Sequence, residues 1–365
     1  MEQHAKRDTA LLFCISALLL AGALAILLFP APRFSARENR LLEDKPTFTL
    51  DALKSGALAT RLDHYATERF PARNGLRSLA ALTELALGKR EVNGVIFCRD
   101  RSLARHTEVK DAAYQKNLRA LQKLLSKRAT GQACHVGVIP RRIEGRAQVL
   151  PAHYKGTREQ EIYRTLQVAL PDAHLFEGLT GENDWFCTDH HLTASGAFSV
   201  YCALGEMLGY TPIPREEFHA VTVSESFYGT SYAAAGIPTA PPDRITLLRH
   251  ALDTELCLKR DGQAVSFRGV YDLEKACGND GYAVFLGGNA AIVEITREEE
   301  DSRPTLLIIK DSFGNAIIPF LAQHYRILAA DPRYCDRKTL LALTETADTC
   351  LVLCGIQTLC GGSFL

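Results

Sequence analysis

A carboxylate, an imidazole and a hydroxyl in this sequence could together perform acyl transfer. Asp189 stands two residues before His191 in the stretch Thr188-Asp-His-His-Leu-Thr-Ala-Ser-Gly-Ala197. An aspartate at that spacing can hold an imidazole in one tautomer and stabilise the imidazolium that forms when the ring takes a proton. In an extended segment alternate side chains share a side, so Asp189 and His191 are predicted to lie on one face and His190 on the other.

A serine far downstream has the setting of a nucleophile. Ser312 follows the apolar, β-branched run Thr305-Leu-Leu-Ile-Ile-Lys-Asp and precedes a Phe-Gly-Asn turn. A sharp turn at the C-terminal end of a buried strand is where α/β hydrolytic folds expose a serine. The N-terminus of the helix that follows can stabilise developing negative charge. The sequence therefore predicts Ser312 as nucleophile, His191 as base and Asp189 as the residue that orients the base.

Each motif alone has a commoner explanation. Paired histidines after an acidic residue also occur on surface loops or as metal ligands. A strand that ends in Asp-Ser often only begins a capped helix, because both residues are good N-caps. Asp311 is adjacent to Ser312, and neighbouring side chains rarely point to one spot, so we predict that it stabilises the turn rather than completing a triad. Catalysis is favoured by the occurrence of both motifs in one chain.

The surrounding sequence resembles the DHHW proteins, relatives of the alginate O-acetyltransferase family, whose domain is SGNH-hydrolase-like. The resemblance extends over nearly the whole chain, and several short blocks occur in the same order. They are Phe34-Ser-Ala-Arg-Glu-Asn-Arg-Leu, Phe70-Pro-Ala-Arg73, Leu87-Gly-Lys-Arg-Glu-Val-Asn-Gly94, Thr188-Asp-His-His, Phe227-Tyr-Gly-Thr230, Val284-Phe-Leu-Gly-Gly-Asn289, Lys310-Asp-Ser-Phe-Gly-Asn315, Pro319-Phe-Leu and Asp331-Pro-Arg-Tyr334. The chain departs from the family pattern at Leu192, where the name-giving motif has tryptophan.

The resemblance implies both a fold and a function. We expect an α/β, SGNH-hydrolase-like domain with a mainly parallel sheet flanked by helices, preceded by one N-terminal transmembrane helix. The implied reaction is O-acetyl transfer onto an exported polysaccharide, with acetyl supplied by an integral-membrane partner rather than by soluble acetyl-CoA. A carbohydrate esterase would use the same triad with water as acceptor. A non-catalytic polysaccharide-binding or assembly factor with a vestigial triad is the other alternative, and Leu192 is the feature that favours it.

A second serine belongs to another family-like motif. Gly229-Thr230-Ser231 resembles the Gly-Thr-Ser nucleophile motif of some alginate O-acetyltransferase relatives. No apolar strand precedes Ser231 to present it, so Ser312 is the predicted nucleophile and Ser231 the alternative. If Ser231 is not the nucleophile, we expect it in a turn beside the cleft.

Backbone and amide N–H groups are the predicted oxyanion donors. The first is the N–H of Ser312 or Phe313, by analogy with other serine hydrolytic sites. The second is expected from Gly287-Gly288-Asn289, where glycines allow close backbone approach and the amide is a side-chain donor. An ordinary hairpin turn would explain the same three residues. Thr193, just after the histidine pair, is a further candidate for substrate binding.

The N-terminal segment predicts where this chemistry occurs. Residues 10–29 are apolar and uncharged, and about 20 such residues suffice for a helix to cross the hydrocarbon core. A cleaved signal peptide usually has a shorter apolar stretch and a small-x-small cleavage site, so an uncleaved anchor is favoured over a signal peptide. We predict residues 1–9 as a cytoplasmic tail, 10–29 as the anchor, and 30–50 as a linker. The bulk of the chain, 51–365, would then lie outside the cell membrane.

Composition excludes several other classes of function. The chain has 42 basic and 42 acidic residues, without a basic run that carries interleaved aromatics, so no nucleic-acid partner is expected. It contains no G-x-G-x-x-G or P-loop motif, and no cofactor is predicted. The eleven cysteines include no C-x-x-C pair, so a metal-finger site is not predicted. Most of these cysteines are expected to be free thiols, with one or two disulfides possible.

Hydrophobic periodicity predicts alternating helices and strands in residues 51–365, with a segment at 211–280 interpreted as an inserted lid or small β excursion. The predicted helices are 51–87, divided at Pro71, then 111–128, 159–169 and 196–208, with a further helix after the Ser312 turn. The predicted strands are 95–98, 134–139, 292–295, 306–309 and 350–354. The alternation of helix and strand indicates a parallel sheet.

Overall fold

The computed structural model describes residues 2–28, 33–35, 40–105, 109–126, 133–152, 154, 159–237, 240–278, 280–297, 301–362 and 364. The chain divides into two compact units, Met1–Asn93 with Ala233–Thr239, and Gly94–Tyr232 with Ala240–Leu365. This division differs from the predicted boundary at residue 50. The first helices beyond residue 50 lie in the first unit, where Ser78 Oγ donates to the Gly236 carbonyl at 2.6 Å and Asn93 Nδ2 donates to the Ala235 carbonyl at 3.0 Å.

The first unit is mainly helical. Pro71 separates two of its helices, as predicted, because proline disfavours the helical conformation in the residue before it. Its elements are α1 (Glu2–Leu28), β1 (Phe34–Ser35), β2 (Arg40–Leu41), α2 (Leu50–Lys54), α3 (Ala57–Arg69), α4 (Arg73–Ala86) and β3 (Glu91–Val92).

Helix α1 contains a stretch that is long and apolar enough to cross a membrane. This stretch, Arg7–Ile26, has 20 residues and a mean hydropathy of 2.5, and none of it is buried within the protein. A signal sequence near the N-terminus has the same properties, so the helix itself does not distinguish an anchor from a cleaved signal. Residue 29, the predicted end of the anchor, lies outside the described residues.

The second unit contains one large sheet. The remaining elements of the chain, in order, are β4 (Val95–Phe97), β5 (Leu103–Arg105), α5 (Asp111–Ser126), β6 (Ala133–Ile139), α6 (Arg142–Gly145), α7 (Glu159–Ala169), β7 (Ala173–Leu175), α8 (Ala194–Leu208), β8 (His219–Phe227), α9 (Thr230–Ala235), β9 (Asp243–Arg249), β10 (Cys257–Arg260), β11 (Gln263–Ala264), β12 (Ile292–Thr296), β13 (Thr305–Lys310), α10 (Gly314–Leu321), β14 (Arg326–Ala330), α11 (Arg337–Thr346), β15 (Thr349–Gly355) and α12 (Ile356–Gly361).

The large sheet has the strand order β11-β10-β12-β14-β13-β15-β6-β7. Strands β14, β13, β15, β6 and β7 run parallel to their neighbours within this group, and β12, β10 and β11 extend it by antiparallel pairing. A mainly parallel sheet flanked by helices is therefore confirmed. Strand β13 lies between two parallel neighbours, so Ser312 follows it at the carboxyl edge of the sheet, where α/β folds place their ligand sites.

The side chains of strand β13 are buried on both faces of the sheet, which explains its continuous apolar sequence. Leu306 and Ile308 pack with residues of α8 and α10, whereas Leu307 and Ile309 pack with residues of α5 and α12. Successive side chains of a strand point to opposite faces, and helices cover both faces of this sheet. The result is an unbroken buried run that ends directly before Ser312 and holds that turn in place.

The segment 211–280 does not form one separate piece. Strands β8 and β9 form a separate two-stranded antiparallel sheet with register shifts, whereas β10 and β11 join the large sheet. The suggestion that the segment acts as a lid stays a prediction. All eleven cysteines are free thiols in this structure.

The double-sided burial of the sheet makes a testable prediction about stability. Val352 in β15 is fully buried, whereas Val168 in α7 is 83% exposed. Val352→Ala should lower the free energy of unfolding by about 2 kcal/mol, because it removes buried methyl groups and leaves a cavity. The matched Val168→Ala control should change it by less than about 0.5 kcal/mol. Chemical denaturation of the two variants checks this, and similar losses in both would contradict the assigned position of β15.

Candidate active site

The segment that carries the two histidines is a bend between Phe186 and helix α8. Asp189 Oδ1 accepts the backbone N–H of His191 at 2.9 Å, the local turn that an aspartate favours. Residues before the bend are held by a buried carboxylate, because Asp243 accepts the N–H groups of Cys187 and Thr188, each at 2.7 Å. The direction of the Asp189 and His191 side chains is therefore fixed from both ends.

The turn that carries Ser312 is held by its neighbour Asp311. The Asp311 carboxylate accepts the N–H groups of Phe313 and Gly355, both at 2.9 Å, and the Thr358 hydroxyl at 2.5 Å. It thus ties the end of β13 to the end of β15. Burial raises the pKa of Asp311, while these three hydrogen bonds favour its charged form. The prediction that Asp311 stabilises the turn is confirmed.

Asp189, His191 and Ser312 form one continuous hydrogen-bonded chain. Asp189 Oδ1 lies 2.5 Å from His191 Nδ1, and His191 Nε2 lies 2.8 Å from Ser312 Oγ. Asp189 and His191 are buried, at 1% and 6% exposure, whereas Ser312 is partly exposed. The predicted convergence of the three side chains is confirmed. This order of carboxylate, imidazole and hydroxyl is the arrangement in which a base can take the proton of a nucleophile.

The Gly-Thr-Ser motif contacts the Asp189 carboxylate. Thr230 donates to Asp189 Oδ2 through its backbone N–H at 2.6 Å and its hydroxyl at 2.9 Å. A Cβ atom added to Gly229 would lie 2.2 Å from the Asp189 Cβ, so this position has no room for a side chain. The role of Thr230 was missed from the sequence, although the motif itself was the signal.

Ser231 is a poorer candidate than Ser312. It is fully buried, and its hydroxyl has no hydrogen-bond partner within the described part of the chain. The Nε2 atom of His191 is instead engaged by Ser312. The alternative nucleophile is therefore not next to the base in this structure.

The electrostatics of the site keep the orienting carboxylate charged. Burial alone would raise the pKa of Asp189, but attraction to His191 and His190 and the hydrogen bonds from His191 and Thr230 outweigh it and hold that pKa well below its usual value. Burial and the neighbouring His191 lower the pKa of His190. An ionised Asp189 hydrogen-bonded to His191 is the arrangement in which an imidazole can act as a general base.

The prediction that His190 lies on the face opposite to Asp189 and His191 is wrong. The two rings lie with centroids 3.9 Å apart, and His190 Nδ1 is 2.6 Å from the Thr230 hydroxyl. The reason is that the segment bends, so the side-chain alternation of an extended strand does not apply. Because the Thr230 hydroxyl donates to Asp189, it accepts from His190, and His190 thereby supports the group that holds the carboxylate.

Two aromatic rings enclose the base. Tyr282 stacks on His191 with centroids 3.9 Å apart and an interplanar angle of 8°, and the Phe313 ring lies 5.2 Å from His191. Such contacts restrain the imidazole plane and exclude water from one side of it. Tyr282 was missed from the sequence, where it stands shortly before the Val284-Phe-Leu-Gly-Gly-Asn289 block without a pattern of its own.

The predicted oxyanion donors are only partly in place. The Phe313 N–H donates to Asp311, so it is not the free donor that was predicted. The Ser312 N–H has no acceptor among the described residues, and it remains the candidate first donor. The predicted glycines have positive φ angles, 72° at Gly287 and 91° at Gly288. This left-handed region favours glycine, so the turn depends on these residues.

A buried lysine sets the orientation of Asn289. Lys310 Nζ donates to Asn315 Oδ1 at 2.6 Å, and Asn315 Nδ2 donates to Asn289 Oδ1 at 3.1 Å. A lysine ammonium donates and does not accept, so it fixes which end of each amide faces which neighbour. Burial lowers the pKa of Lys310 to about 8, against the attraction of Asp331 and Asp311. The side-chain N–H groups of Asn289 therefore point away from Asn315 and remain candidate oxyanion donors.

Two residues next to the bend have structural contacts. Thr193, predicted to bind substrate, is the N-cap of α8: its hydroxyl accepts the Gly196 N–H at 3.2 Å and donates to the Asn183 carbonyl. Leu192 is fully buried and forms a β-bridge with Trp185. Because Leu192 lies in the core, the absence of tryptophan there does not alter an exposed cleft wall.

A metal ion is the other chemistry that these residues could support. One ligand atom from each of Asp189, His190 and His191 lies within 4.8 Å of the others. Both nitrogen atoms of His191 are engaged, by Asp189 and by Ser312, and both Asp189 oxygens accept hydrogen bonds. Metal binding would break these contacts, so the triad accounts for the arrangement better.

Comparison with solved structures gives the fold. A DHHW family protein from Eubacterium siraeum is 22% identical, with a TM-score of 0.61, over 74% of this chain and 93% of that one. Bacillus cereus PatB1, solved with a sulfonyl adduct, is 18% identical, with a TM-score of 0.59, over 75% of this chain and 99% of that one. The O-acetyltransferase domain of Pseudomonas putida AlgJ is 14% identical over 73% of this chain and 92% of that one, and its TM-score of 0.44 is too low to support an argument about this protein.

Comparison with sequence families gives one match that spans the candidate site. Curated protein sequences give no match to the chain. The model of the DHHW protein family matches residues 169–329, which include Asp189, His191 and Ser312. The resemblance of this chain to the DHHW protein family is thereby confirmed over the part that carries the candidate site.

Proposed function

We propose that this chain is a serine acyltransferase that O-acetylates an exported polysaccharide. The observation that carries the proposal is the 2.8 Å contact between Ser312 Oγ and His191 Nε2, with His191 Nδ1 held by Asp189. A structural serine would not need a base whose other nitrogen is fixed by a buried carboxylate. The DHHW match and the resemblance to alginate O-acetyltransferase relatives favour an acetyl group and a polysaccharide acceptor.

The geometry supports a two-step transfer. In the first step Ser312 Oγ attacks the acyl carbonyl carbon while its proton passes to His191 Nε2, and the negative charge on the carbonyl oxygen is stabilised by the Ser312 N–H and the Asn289 amide. The bond to the donor's leaving group breaks, and the leaving atom takes the proton from His191. In the second step an acceptor hydroxyl gives its proton to His191 and attacks the acyl group, and Ser312 leaves with that proton.

Esterase activity differs only in the acceptor. The same steps with water in place of a sugar hydroxyl release the free acid, so the two reactions share every residue named above. The non-catalytic alternative rested on Leu192, and the burial of that residue in the core against Trp185 removes this support. We therefore retain transfer as the proposal, with hydrolysis as the side reaction.

The location of the reaction is part of the proposal. Helix α1 has a span of the length and hydropathy that a membrane anchor needs. An anchored enzyme would work beside an integral-membrane protein that supplies the acyl group, on a polymer that leaves the cell. A reporter fused after Leu365 should be active outside the cytoplasm, and activity confined to the cytoplasm would contradict the anchor and its orientation.

Chemical labelling tests the identity of the nucleophile. A fluorophosphonate probe should label the full-length protein, because it reacts with serines that an adjacent base activates. Ser312→Ala should abolish labelling, and the control Ser231→Ala should keep it. Since PatB1 has been solved with a sulfonyl adduct, a sulfonyl fluoride is a suitable second probe. Labelling that survives Ser312→Ala but is lost in Ser231→Ala would instead favour the alternative serine.

The second prediction concerns the triad as a unit. Hydrolysis of an aryl acetate should fall by about 10⁴-fold or more in Ser312→Ala and in His191→Ala, and the double variant should be scarcely slower, because triad members are strongly non-additive. Asp189→Asn should cost about 10⁴-fold in kcat while the protein stays folded, because the wrong tautomer of His191 is favoured. His190→Ala should lose less. Equal losses for the two histidines, with Asp189→Asn near the wild-type rate, would point to a metal site.

The third prediction concerns the space around the carboxylate. Gly229→Ala should place a methyl group 2.2 Å from the Asp189 Cβ and push the carboxylate off His191. We expect a loss of about 100-fold in kcat, the usual cost of a displacement near 1 Å in a catalytic group. The matched control is Gly178→Ala, where an added Cβ would meet no atom within 4 Å. Wild-type rates in both variants would show that the contact with Gly229 does not position Asp189.

A further inference from the structure

A pocket lies next to the histidine pair and is not used by the triad. Its volume is about 310 Å³, at the lower end of the roughly 300–1,000 Å³ range of small-molecule sites. Asp189 and His190 form one side of it, so it adjoins the base. The rest of its lining comes from β5, the residue before α5, the start of α6, and α12, and it includes Arg105, Lys110, Arg141 and Arg142.

The charge of this pocket is markedly uneven. The described lining contains four cationic side chains and one acidic side chain, Asp189. Asp189 is 1% exposed, and its oxygens accept hydrogen bonds from His191 and Thr230. Its negative charge is therefore compensated within the protein. The whole chain has equal numbers of acidic and basic residues. The excess of positive charge is therefore a local property of this pocket.

The four cations differ in burial, and Arg141 and Arg142 are both buried. Arg142 is buried and donates to the Phe186 carbonyl at 2.7 Å and to Asp100 at 3.5 Å, so it mainly supports the wall. Arg105 and Lys110 are exposed, and no carboxylate lies within salt-bridge distance of either side chain among the described residues. Arg105 is also close enough to His190 to contribute to the lowering of its pKa. Two exposed cations in the lining of a pocket can bind a ligand that carries negative charge.

We propose that this pocket binds an anionic group, a carboxylate or a phosphate, on the polymer that receives the acyl group. That the bound polymer is the acyl acceptor rests on the proposed function. Binding of the anionic group itself does not require catalysis. An arginine and a lysine at a half-enclosed site bind carboxylate or phosphate oxygens through charge-assisted hydrogen bonds. The His190 ring is in contact with His191, so a ligand in the pocket would lie beside the residue that contacts the base.

A neutral glycan would bind this site less tightly. It would displace water from Arg105 and Lys110 without supplying an opposite charge. Removing water from unpaired charges is unfavourable. The pocket therefore selects acidic over neutral polymers by a difference in electrostatic energy. This selectivity should decrease as ionic strength rises, because salt screens exposed charges.

The test measures binding without turnover. The full-length protein with Ser312→Ala is titrated with an oligogalacturonate, with its fully methyl-esterified form, which has the same backbone and no charge, and with a poly(glycerol phosphate) oligomer. The pocket variant adds Arg105→Gln and Lys110→Gln to this background. The control variant adds Arg119→Gln, which removes an exposed cation of α5 that does not line the pocket. Thermal unfolding confirms that each variant is folded.

At least one charged oligomer should bind at least about tenfold more tightly than the methyl ester, roughly 1.4 kcal/mol. The double pocket variant should lose that advantage and the Arg119→Gln control should keep it. Preference for the uronate oligomer assigns a carboxylate, and preference for the glycerol phosphate oligomer assigns a phosphate. Equal binding of charged and neutral oligomers, or an unchanged preference in the pocket variant, would overturn the inference. Failure of the proposed function is separate, because it appears as absence of probe labelling in the wild-type protein.

Discussion

The ionised carboxylate of Asp189 is the group on which the rest of the site depends. A buried carboxylate is stable only when hydrogen-bond donors and positive charge compensate for its lost hydration. Here the donors are the ring and backbone N–H of His191 and the hydroxyl and backbone N–H of Thr230. Meeting this requirement bends the histidine segment, brings α9 against it, excludes a side chain at Gly229, and sets the tautomer of His191 that faces Ser312.

A second buried carboxylate has the corresponding role for the nucleophile. Asp311 joins the turn after β13 to the end of β15 through Gly355 and Thr358, so the turn moves with the sheet. Helices cover both faces of the parallel strands of this sheet, so its strands are buried on both sides. The 2.8 Å contact between His191 and Ser312 thus joins two segments, the histidine bend and the Ser312 turn. Each segment is held by the hydrogen bonds of its own buried carboxylate, Asp189 or Asp311.

Features that depend on the residues of a single short segment could be predicted from the sequence. The run before Ser312, the parallel sheet and the pairing of Asp189 with His191 all followed from local patterns and the family resemblance. The approach of Ser312 to His191 was expected from the chemistry of the two motifs, but other contacts between residues distant in sequence were not. The histidine segment was treated as extended, but the hydrogen bonds of Asp189 bend it and bring His190 beside His191. The hydroxyl of Thr193 and the N–H of Phe313 were assigned to substrate, yet α8 and Asp311 use them.

The central claim is that Ser312 becomes acylated, and trapping of the acyl-enzyme tests it most directly. The full-length protein is mixed briefly with an aryl acetate, quenched in acid and digested, and tandem mass spectrometry locates any added acetyl group. The account predicts one acetyl group on Ser312 in the wild-type protein and none on Ser312 in His191→Ala, where the base is missing. An acetyl group on Ser231, or equal acetylation of Ser312 without His191, would contradict the account.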